Sequence, residues 1–271
     1  MKVSLTNTAL MSACLALLLT LPASAFASNW MRSEDELYFK AGLAYDRASE
    51  RWNRDGELTD MSCTATNWAH NQSYEYGWSY YRTVFGSFEY MDRRCGDVTD
   101  SGVGNLTFGM RGRLNVYRNG RTWETALVIP SEHSGLYGLR LGVFGSFGDI
   151  HTIRNEAATN FELGANLYIW EGSAPEQLAS YIKFNIAPSA ERRFFAALEG
   201  DYALVDRDKV YDTTINQVEN YGYDRLNLRI GYSQKVSLDW RMSIEATSVL
   251  AGRNASKTNG VSLSFSRIFE L

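Results

Sequence analysis

A regular alternation of apolar and polar residues recurs along most of the chain. Leu226, Leu228 and Ile230, for example, alternate with Asn227 and Arg229. Successive side chains of an extended strand point to opposite faces, so each such segment has one apolar face and one polar face. The alternation therefore restricts the chain to an all-β fold, in which these faces meet different surroundings.

Twelve segments carry this alternation and predict one antiparallel β-barrel domain of about twelve strands. The predicted strands are 36–50, 73–82, 84–93, 103–117, 121–130, 136–148, 159–170, 179–187, 193–205, 221–235, 240–252 and 260–271. Short turns, such as Asn119-Gly120, alternate with predicted longer loops. These loops are 51–72, 94–102, 131–135, 171–178, 206–220 and 253–259, while 149–158 is long where a short turn is expected. An even strand count with short turns at one end is typical of an up-and-down outer-membrane barrel.

Composition supports this class and excludes others. Of the 271 residues 13% are aromatic, and there are 22 Gly but only 4 Pro. After the N-terminal segment no apolar run approaches the roughly 20 residues of a spanning helix. A formal net charge of −4 gives no electrostatic support for a nucleic-acid partner. Aromatic residues near predicted strand ends suit an interfacial girdle: Tyr45, Trp52, Tyr90, Trp123, Trp170, Tyr202 and Trp240.

The N-terminal segment, residues 1–27, is predicted to be a cleaved signal peptide. Lys2 is followed by the apolar run Ala9–Leu21, and Ala25-Phe26-Ala27 offers small residues before a cut at Ser28. Residues 28–271 then form the barrel, and only about nine residues precede its first strand, too few for an N-terminal plug.

Two cysteines remain after this cleavage, Cys63 and Cys95. An exported protein with two cysteines most simply forms one disulfide, although two free thiols remain an alternative. Both cysteines fall in predicted long connections, so the bond is expected to tie two surface loops together.

The C-terminal segment keeps an apolar face up to its last residue. That face consists of Val261, Leu263, Phe265, Phe269 and Leu271. It resembles the insertion signal of outer-membrane barrels, and it departs from the usual pattern at Arg267 and in ending on Leu. It predicts the barrel-assembly machinery and outer-membrane lipid as partners, and the cell outer membrane as location. A soluble secreted sandwich or lipocalin-like barrel is the alternative.

The polar faces would line the lumen of such a barrel. They carry Lys40, Asp46, Glu75, Glu89, Arg111, Arg113, Glu124, Arg140, Glu162, Lys183, Glu199, Asp201, Arg225, Arg229, Arg241 and Glu245. This set contains equal numbers of acids and bases. Such a mixture either pairs across the lumen and closes it or leaves a narrow passage without a strong preference for one charge.

Catalytic and cofactor motifs are weak. His133 and Ser134 are adjacent, so on a strand they would face opposite sides. His70 and His151 are isolated and form no metal cluster in the sequence. We therefore predict no catalytic residue, no metal and no cofactor, and we expect that the protein is not an enzyme.

The segment Gly102-Val103-Gly104-Asn105-Leu106-Thr107-Phe108-Gly109 resembles the Gly-Leu-Gly-Asp-Leu strand start of the MetA-pathway phenol-degradation family. Leu127-Val128-Ile129-Pro130 also resembles a family strand that ends in proline. Asn105 replaces the family aspartate, and Ser131-Glu132 replaces its Thr-Gly. The resemblance covers roughly residues 75–240 and implies an outer-membrane barrel for aromatic or hydrophobic compounds.

The sequence thus predicts an outer-membrane barrel that acts as a passive channel for small, aromatic or hydrophobic solutes. Two alternatives remain. One is a closed barrel that serves as an adhesin, receptor or envelope-integrity protein. The other is an outer-membrane lipid-modifying enzyme.

Overall fold

A computed structural model describes residues 31–114, 121–129, 138–148, 158–170, 176–204 and 223–271. These residues form thirteen β-strands. They are β1 (Glu36–Trp52), β2 (Leu58–Ser79), β3 (Arg82–Cys95), β4 (Val98–Val103), β5 (Leu106–Arg113), β6 (Arg121–Ile129), β7 (Gly138–Gly148), β8 (Ala158–Trp170), β9 (Gln177–Ala187), β10 (Arg192–Ala203), β11 (Asp224–Lys235), β12 (Trp240–Arg253) and β13 (Ala255–Glu270). Within the described ranges no helix is long and apolar enough to cross a membrane.

The strands close into an antiparallel barrel. Strands β4 and β5 both pair with β3, and every other strand pairs with its neighbours in the chain. Strand β1 also pairs with β13, from Glu36 opposite Glu270 to Trp52 opposite Ala255. The β2–β3 pairing completes the ring. We call the end where β1 begins and β13 ends the proximal end, and the opposite end the distal end.

Strands β4 and β5 are two parts of one interrupted strand. Both pair with β3, and the register changes from Tyr90 opposite Val103 to Ser87 opposite Thr107. This change leaves one extra residue on the β4–β5 side, which is a β-bulge. The bulge lies at Gly104, whose N–H donates to the Glu89 carbonyl at 2.7 Å. The wall therefore has twelve strands, which confirms the predicted barrel of about twelve.

The distal connections are shorter than the sequence predicted. Most of 51–72, 94–102 and 253–259 is strand rather than loop. Residues 53–57 connect β1 to β2, 96–97 connect β3 to β4, and Asn254 alone separates β12 from β13. Left-handed backbone at Gly56, Gly96 and Asn254 permits these tight reversals. These strand extensions could not be predicted from the sequence, because they show little alternation of apolar and polar residues. Their backbone hydrogen bonds nevertheless hold them as strands.

Other predicted connections lie outside the described residues. These are Asn119-Gly120, 131–135, 206–220, nearly all of 149–158 and most of 171–178.

The Cys63–Cys95 disulfide is confirmed, with Cα atoms 5.4 Å apart. Its predicted location in two loops is wrong, because Cys63 lies within β2 and Cys95 is the last residue of β3. Residues 61–64 of β2 bulge opposite the single residue Ser49 of β1. The bond therefore fastens this bulge to the turn that begins β4.

Removal of the disulfide is expected to loosen the distal hairpins and leave the barrel closed. The bond spans 32 residues, and closing a loop of that size stabilises a chain by about 4 kcal/mol at most. We expect a smaller loss here, because backbone hydrogen bonds also hold β2 against β3. We expect faster tryptic cleavage at the exposed Arg94 in a Cys63→Ser/Cys95→Ser variant, measured by mass spectrometry. Ser62→Ala is the matched control. Equal cleavage rates in both variants would contradict a stapling role.

The distribution of polarity is the reverse of that in a soluble protein. Buried residues include Thr83, Thr122, Glu124, Asn160 and Glu162. Large apolar side chains are exposed along the opposite face: Leu43, Phe108, Leu127, Leu141, Ile182, Phe184, Leu198, Ile230, Ile244, Val261, Leu263 and Phe265. An apolar outer band around a polar interior is characteristic of membrane barrels and contradicts the soluble-sandwich alternative.

Aromatic side chains on the outer face form two belts. The distal belt contains Tyr45, Trp68, Tyr90 and Tyr202, and the proximal belt contains Trp78, Trp123, Phe194, Tyr232 and Trp240. Such belts mark the two membrane interfaces. Trp170, which the sequence assigned to the girdle, lies instead on the polar face, with its ring stacked on Tyr168.

Arg267 interrupts the apolar C-terminal face at the proximal belt. Its guanidinium lies 4.5 Å from the centre of the Phe269 ring and 5.7 Å from that of Trp240. It also forms an ion pair with Asp239 in the β11–β12 turn. A cation at this level reaches the interface, so the departure from the C-terminal pattern is compatible with a membrane strand.

Candidate functional site

The polar residues form one continuous face around the barrel. Directly opposed residues in neighbouring strands share a face, and Lys40, for example, opposes Ser266, which in turn opposes Arg241. Lys40 of β1 also pairs with Glu245 of β12, although β13 lies between these strands. Such contacts are made across the concave side, and we therefore call this face the inner face. The register places all sixteen predicted charged residues on it.

A first ion cluster is centred on the buried carboxylate of Glu124. It accepts from the Arg111 Nη2 atom at 2.8 Å and lies 2.6 Å from the Arg140 Nη2 atom. Arg111 also lies 3.6 Å from Glu75, whose other carboxylate oxygen accepts from the Arg32 Nε atom at 2.6 Å. The cluster joins four strands across the interior. Arg32 was not predicted, because it precedes the first strand and has no place in the alternation.

A second ion cluster lies on strands β8 to β12 and β1. Arg229 pairs with Glu199 at 2.6 Å and with Glu245 at 3.5 Å. Glu245 also pairs with Lys40 at 3.7 Å. Two further pairs flank this cluster: Lys183 with Glu162 at 3.8 Å and Arg225 with Asp201 at 2.6 Å.

Aromatic rings cover glycines on the inner face. Phe85 lies over Gly109, and Phe195 lies over Gly231, each across a strand pair. A side chain at either glycine would collide with the ring, so glycine allows the ring to lie along the wall. Cations stack above these rings, with Arg111 5.4 Å from the centre of Phe85 and Lys183 4.8 Å from the centre of Phe195. These ring–glycine contacts could not be predicted from the sequence, because each glycine and its ring lie on different strands.

Water reaches the two sides of the interior unequally. The side chains of Glu124 and Glu162 are only 3% and 5% exposed. Those of Lys40 and Arg225 are 40% and 44% exposed, although they lie on the same inner face. On this face the β13 wall beside Lys40 carries the small residues Gly260, Ser262, Ser264 and Ser266, of which Ser264 and Ser266 are buried, and Ile268 follows them toward the proximal end. The interior is therefore filled by ion pairs on one side and accessible to water on the other.

The remaining predicted residues have other contacts or lie elsewhere. Arg113 stacks on the Tyr80 ring at 4.2 Å, and Glu89 opposes Asn71 on the inner face. His70 is on the outer face and contacts Gln72 at 2.8 Å.

Of the four residues considered for catalysis or metal binding, the structure describes only His70. His133, Ser134 and His151 lie outside the described residues. In the part of the chain that the structure describes, no three His, Cys, Asp or Glu side chains are placed to hold a metal ion.

Comparisons with known proteins place the fold among outer-membrane barrels. No family model matches the chain, and no curated protein matches it. An outer membrane channel from Pseudomonas putida F1 is similar with a TM-score of 0.67 at 12% identity, covering 91% of this chain and 100% of that one. The β-domain of the Bordetella autotransporter BrkA gives a TM-score of 0.52 at 11% identity, covering 87% and 100%. The translocator domain of the autotransporter NalP from Neisseria meningitidis gives 0.51 at 11%, covering 96% and 95%.

These likenesses define the class by its fold. The chain has the fold of an outer-membrane β-barrel, a closed antiparallel wall of twelve strands with an apolar outer band. The structures it resembles are a channel, the translocator domain of one autotransporter and the β-domain of another, rather than enzymes. Identities of 11–12% support a likeness of fold alone.

Proposed function

We propose that this protein is a passive outer-membrane channel for small solutes. The observation that carries the proposal is the water exposure of Lys40, Arg225 and Arg229 on the inner face of a closed barrel. A lumen plugged throughout would bury these cations as deeply as Glu124. The exposed side chains line a passage that lies beside Gly260 and Ser262 of β13, because Ser264 and Ser266 are buried.

The inner-face charges support a passage for small solutes with limited charge selectivity. Acids and bases alternate around the ring, and most form ion pairs with each other. A ring of one sign would select strongly for the opposite ion, which this arrangement does not provide. Twelve strands also enclose a narrower space than the sixteen of general porins.

The solute class and cellular setting extend this proposal. The resemblance to the MetA-pathway phenol-degradation family supports aromatic or hydrophobic solutes, and the rings of Phe85 and Phe195 offer apolar surface inside the barrel. The same proposal includes cleavage after residue 27, insertion into the outer membrane and recognition of β13 by the barrel-assembly machinery.

A bulky residue on the small wall is expected to reduce transport. In Ser262→Trp the new ring would project beside Ala44 and Glu245, its cross-strand neighbours on the inner face. We expect the single-channel conductance in planar bilayers to fall by about half or more, because the constriction sets the current. Liposome swelling with small sugars and amino acids should slow in parallel.

Leu263→Trp is the matched control, because it introduces the same side chain at the next residue of β13 on the outer face. It should conduct like the unchanged protein. The folded state of both variants can be checked by heat-dependent migration on gels. Equal conductance in the two variants would contradict the assigned path, and absence of current in the unchanged protein would overturn the channel.

A closed, surface-binding barrel is the second candidate, and the ion-paired half of the interior favours it. Glu124 and Glu162 are buried within their ion pairs. If this packing continued across the whole lumen, the barrel would serve as a scaffold for its distal hairpins. The conductance measurement decides between the two candidates.

A further inference from the structure

Three cations on the inner face lie together at the proximal end of the barrel. Lys235 directly opposes Arg241 across the β11–β12 pair. Arg193 opposes Ser233, which is two residues from Lys235 on the same face. Like charges directly opposite each other in a sheet repel, so this arrangement requires compensation. We call these three residues the proximal cation cluster.

The proximal cation cluster differs from the rest of the inner face. Arg111, Arg140, Lys183, Arg225 and Arg229 each lie within 4.0 Å of a carboxylate. Among the described residues, no carboxylate forms an ion pair with any member of the proximal cluster. Unpaired positive charge is thus concentrated on the β10–β12 side of the proximal mouth, whereas Glu36 and Glu270 oppose each other on the β1–β13 side.

The hydrogen bonds of the proximal cation cluster leave one buried N–H donor without a partner. Arg241 donates from Nη1 to the Glu191 carbonyl at 3.1 Å and to the Ser233 Oγ atom, and from Nη2 to the Ala190 carbonyl. These contacts hold its guanidinium in place without neutralising it. The Nε atom of Arg193 is buried and has no hydrogen-bond partner. A buried donor left unpaired is costly, and an acceptor from outside the chain would relieve it.

We propose that the proximal cation cluster is a binding site for an oxyanion, the carboxylate or phosphate group of a solute. Arg193 and Arg241 present guanidinium groups, which suit paired oxygens, and Lys235 adds a point charge. The ligand is a free solute rather than a lipid headgroup, because the three side chains are on the inner face and lipid meets the outer face. This inference deepens the proposed channel: the site would concentrate anionic solutes at one mouth.

Binding of inorganic phosphate can be measured on the full chain in detergent, independently of any conductance measurement. We expect inorganic phosphate to bind the unchanged protein in isothermal titration calorimetry. An Arg193→Gln/Lys235→Gln variant should bind it about tenfold more weakly or worse, because two charge-assisted contacts are lost. Arg241 is retained in this variant, because it also holds the turn at 190–191.

Arg192→Gln is the control for Arg193, because it replaces the neighbouring arginine, which lies on the outer face, by the same residue. It should bind phosphate normally. Equal weakening in the control, or normal binding in the double variant, would overturn the site.

One further measurement separates a free solute from a lipid headgroup, and another separates the site from the channel. In maltoside micelles, competition with inorganic phosphate by added phosphatidylglycerol but not by soluble glycerol phosphate would overturn the free-solute assignment. In planar bilayers, phosphate added at the proximal mouth should block current in the unchanged protein and not in the double variant. A protein that binds phosphate but carries no current would keep the site and remove the channel.

Discussion

Replacing Glu124 by glutamine is expected to lower the free energy of unfolding by about 3–5 kcal/mol. Its carboxylate is buried and compensates both Arg111 and Arg140. After the change Arg111 keeps Glu75 at 3.6 Å, but Arg140 loses the carboxylate with which it pairs. A buried cation without a counter-charge is what makes the broken pair costly. Urea titration in phospholipid vesicles, followed by the fluorescence of the 7 tryptophans, measures the change.

Asp201→Asn is the matched control for this prediction. It removes the carboxylate of another inner-face pair, but Arg225 is 44% exposed and water can replace the lost partner. We expect a loss of about 1 kcal/mol or less, because water screens exposed pairs. Similar losses in the two variants would show that the Glu124 cluster is hydrated like the other half of the interior.

Replacing Leu263 by arginine is expected to lower the free energy of unfolding in vesicles by about 2–4 kcal/mol. Leu263 lies in the middle of β13 on the outer face, between its cross-strand neighbours Leu43 and Ile244. All three side chains are exposed in the isolated chain. In a membrane that exposure means contact with acyl chains, where a guanidinium is poorly solvated.

Leu238→Arg provides the control for the lipid contact. Leu238 is 87% exposed in the turn between β11 and β12, beyond the proximal aromatic belt. The same substitution should there change the unfolding free energy very little. A neutral Leu263→Arg would mean that the outer face meets water, and the membrane assignment would then fall.

The alternation predicted the strands well where one face meets lipid and the other meets the interior. The ends of β11 and β12 were predicted to within a few residues, because the apolar residues of these strands alternate wherever one face contacts the hydrocarbon region. The same rule failed in the distal part of β2, which was expected to be loop. Both faces of a protruding hairpin meet water, so the period-two signal disappears although the hydrogen bonds continue.

The inner-face charges could be predicted as a set but not as pairs. The alternation of apolar and polar residues in each strand predicts that Glu124 and Arg111 lie on the same face of the sheet. That Glu124 also holds Arg140, and that Glu75 holds Arg32, depends on barrel closure and strand register. Those are long-range properties, since a slip of one residue would turn every side chain to the other face.

The amino-acid sequence by itself determined an all-β chain with two chemically different faces, because side-chain direction in a strand depends only on position along the chain. Only the tertiary structure decided which charges compensate each other and which are left together. The ion clusters, the ring-covered glycines and the proximal cation cluster all join residues from separate strands. Their contacts exist only because closure of the barrel fixes the distance and register between strands.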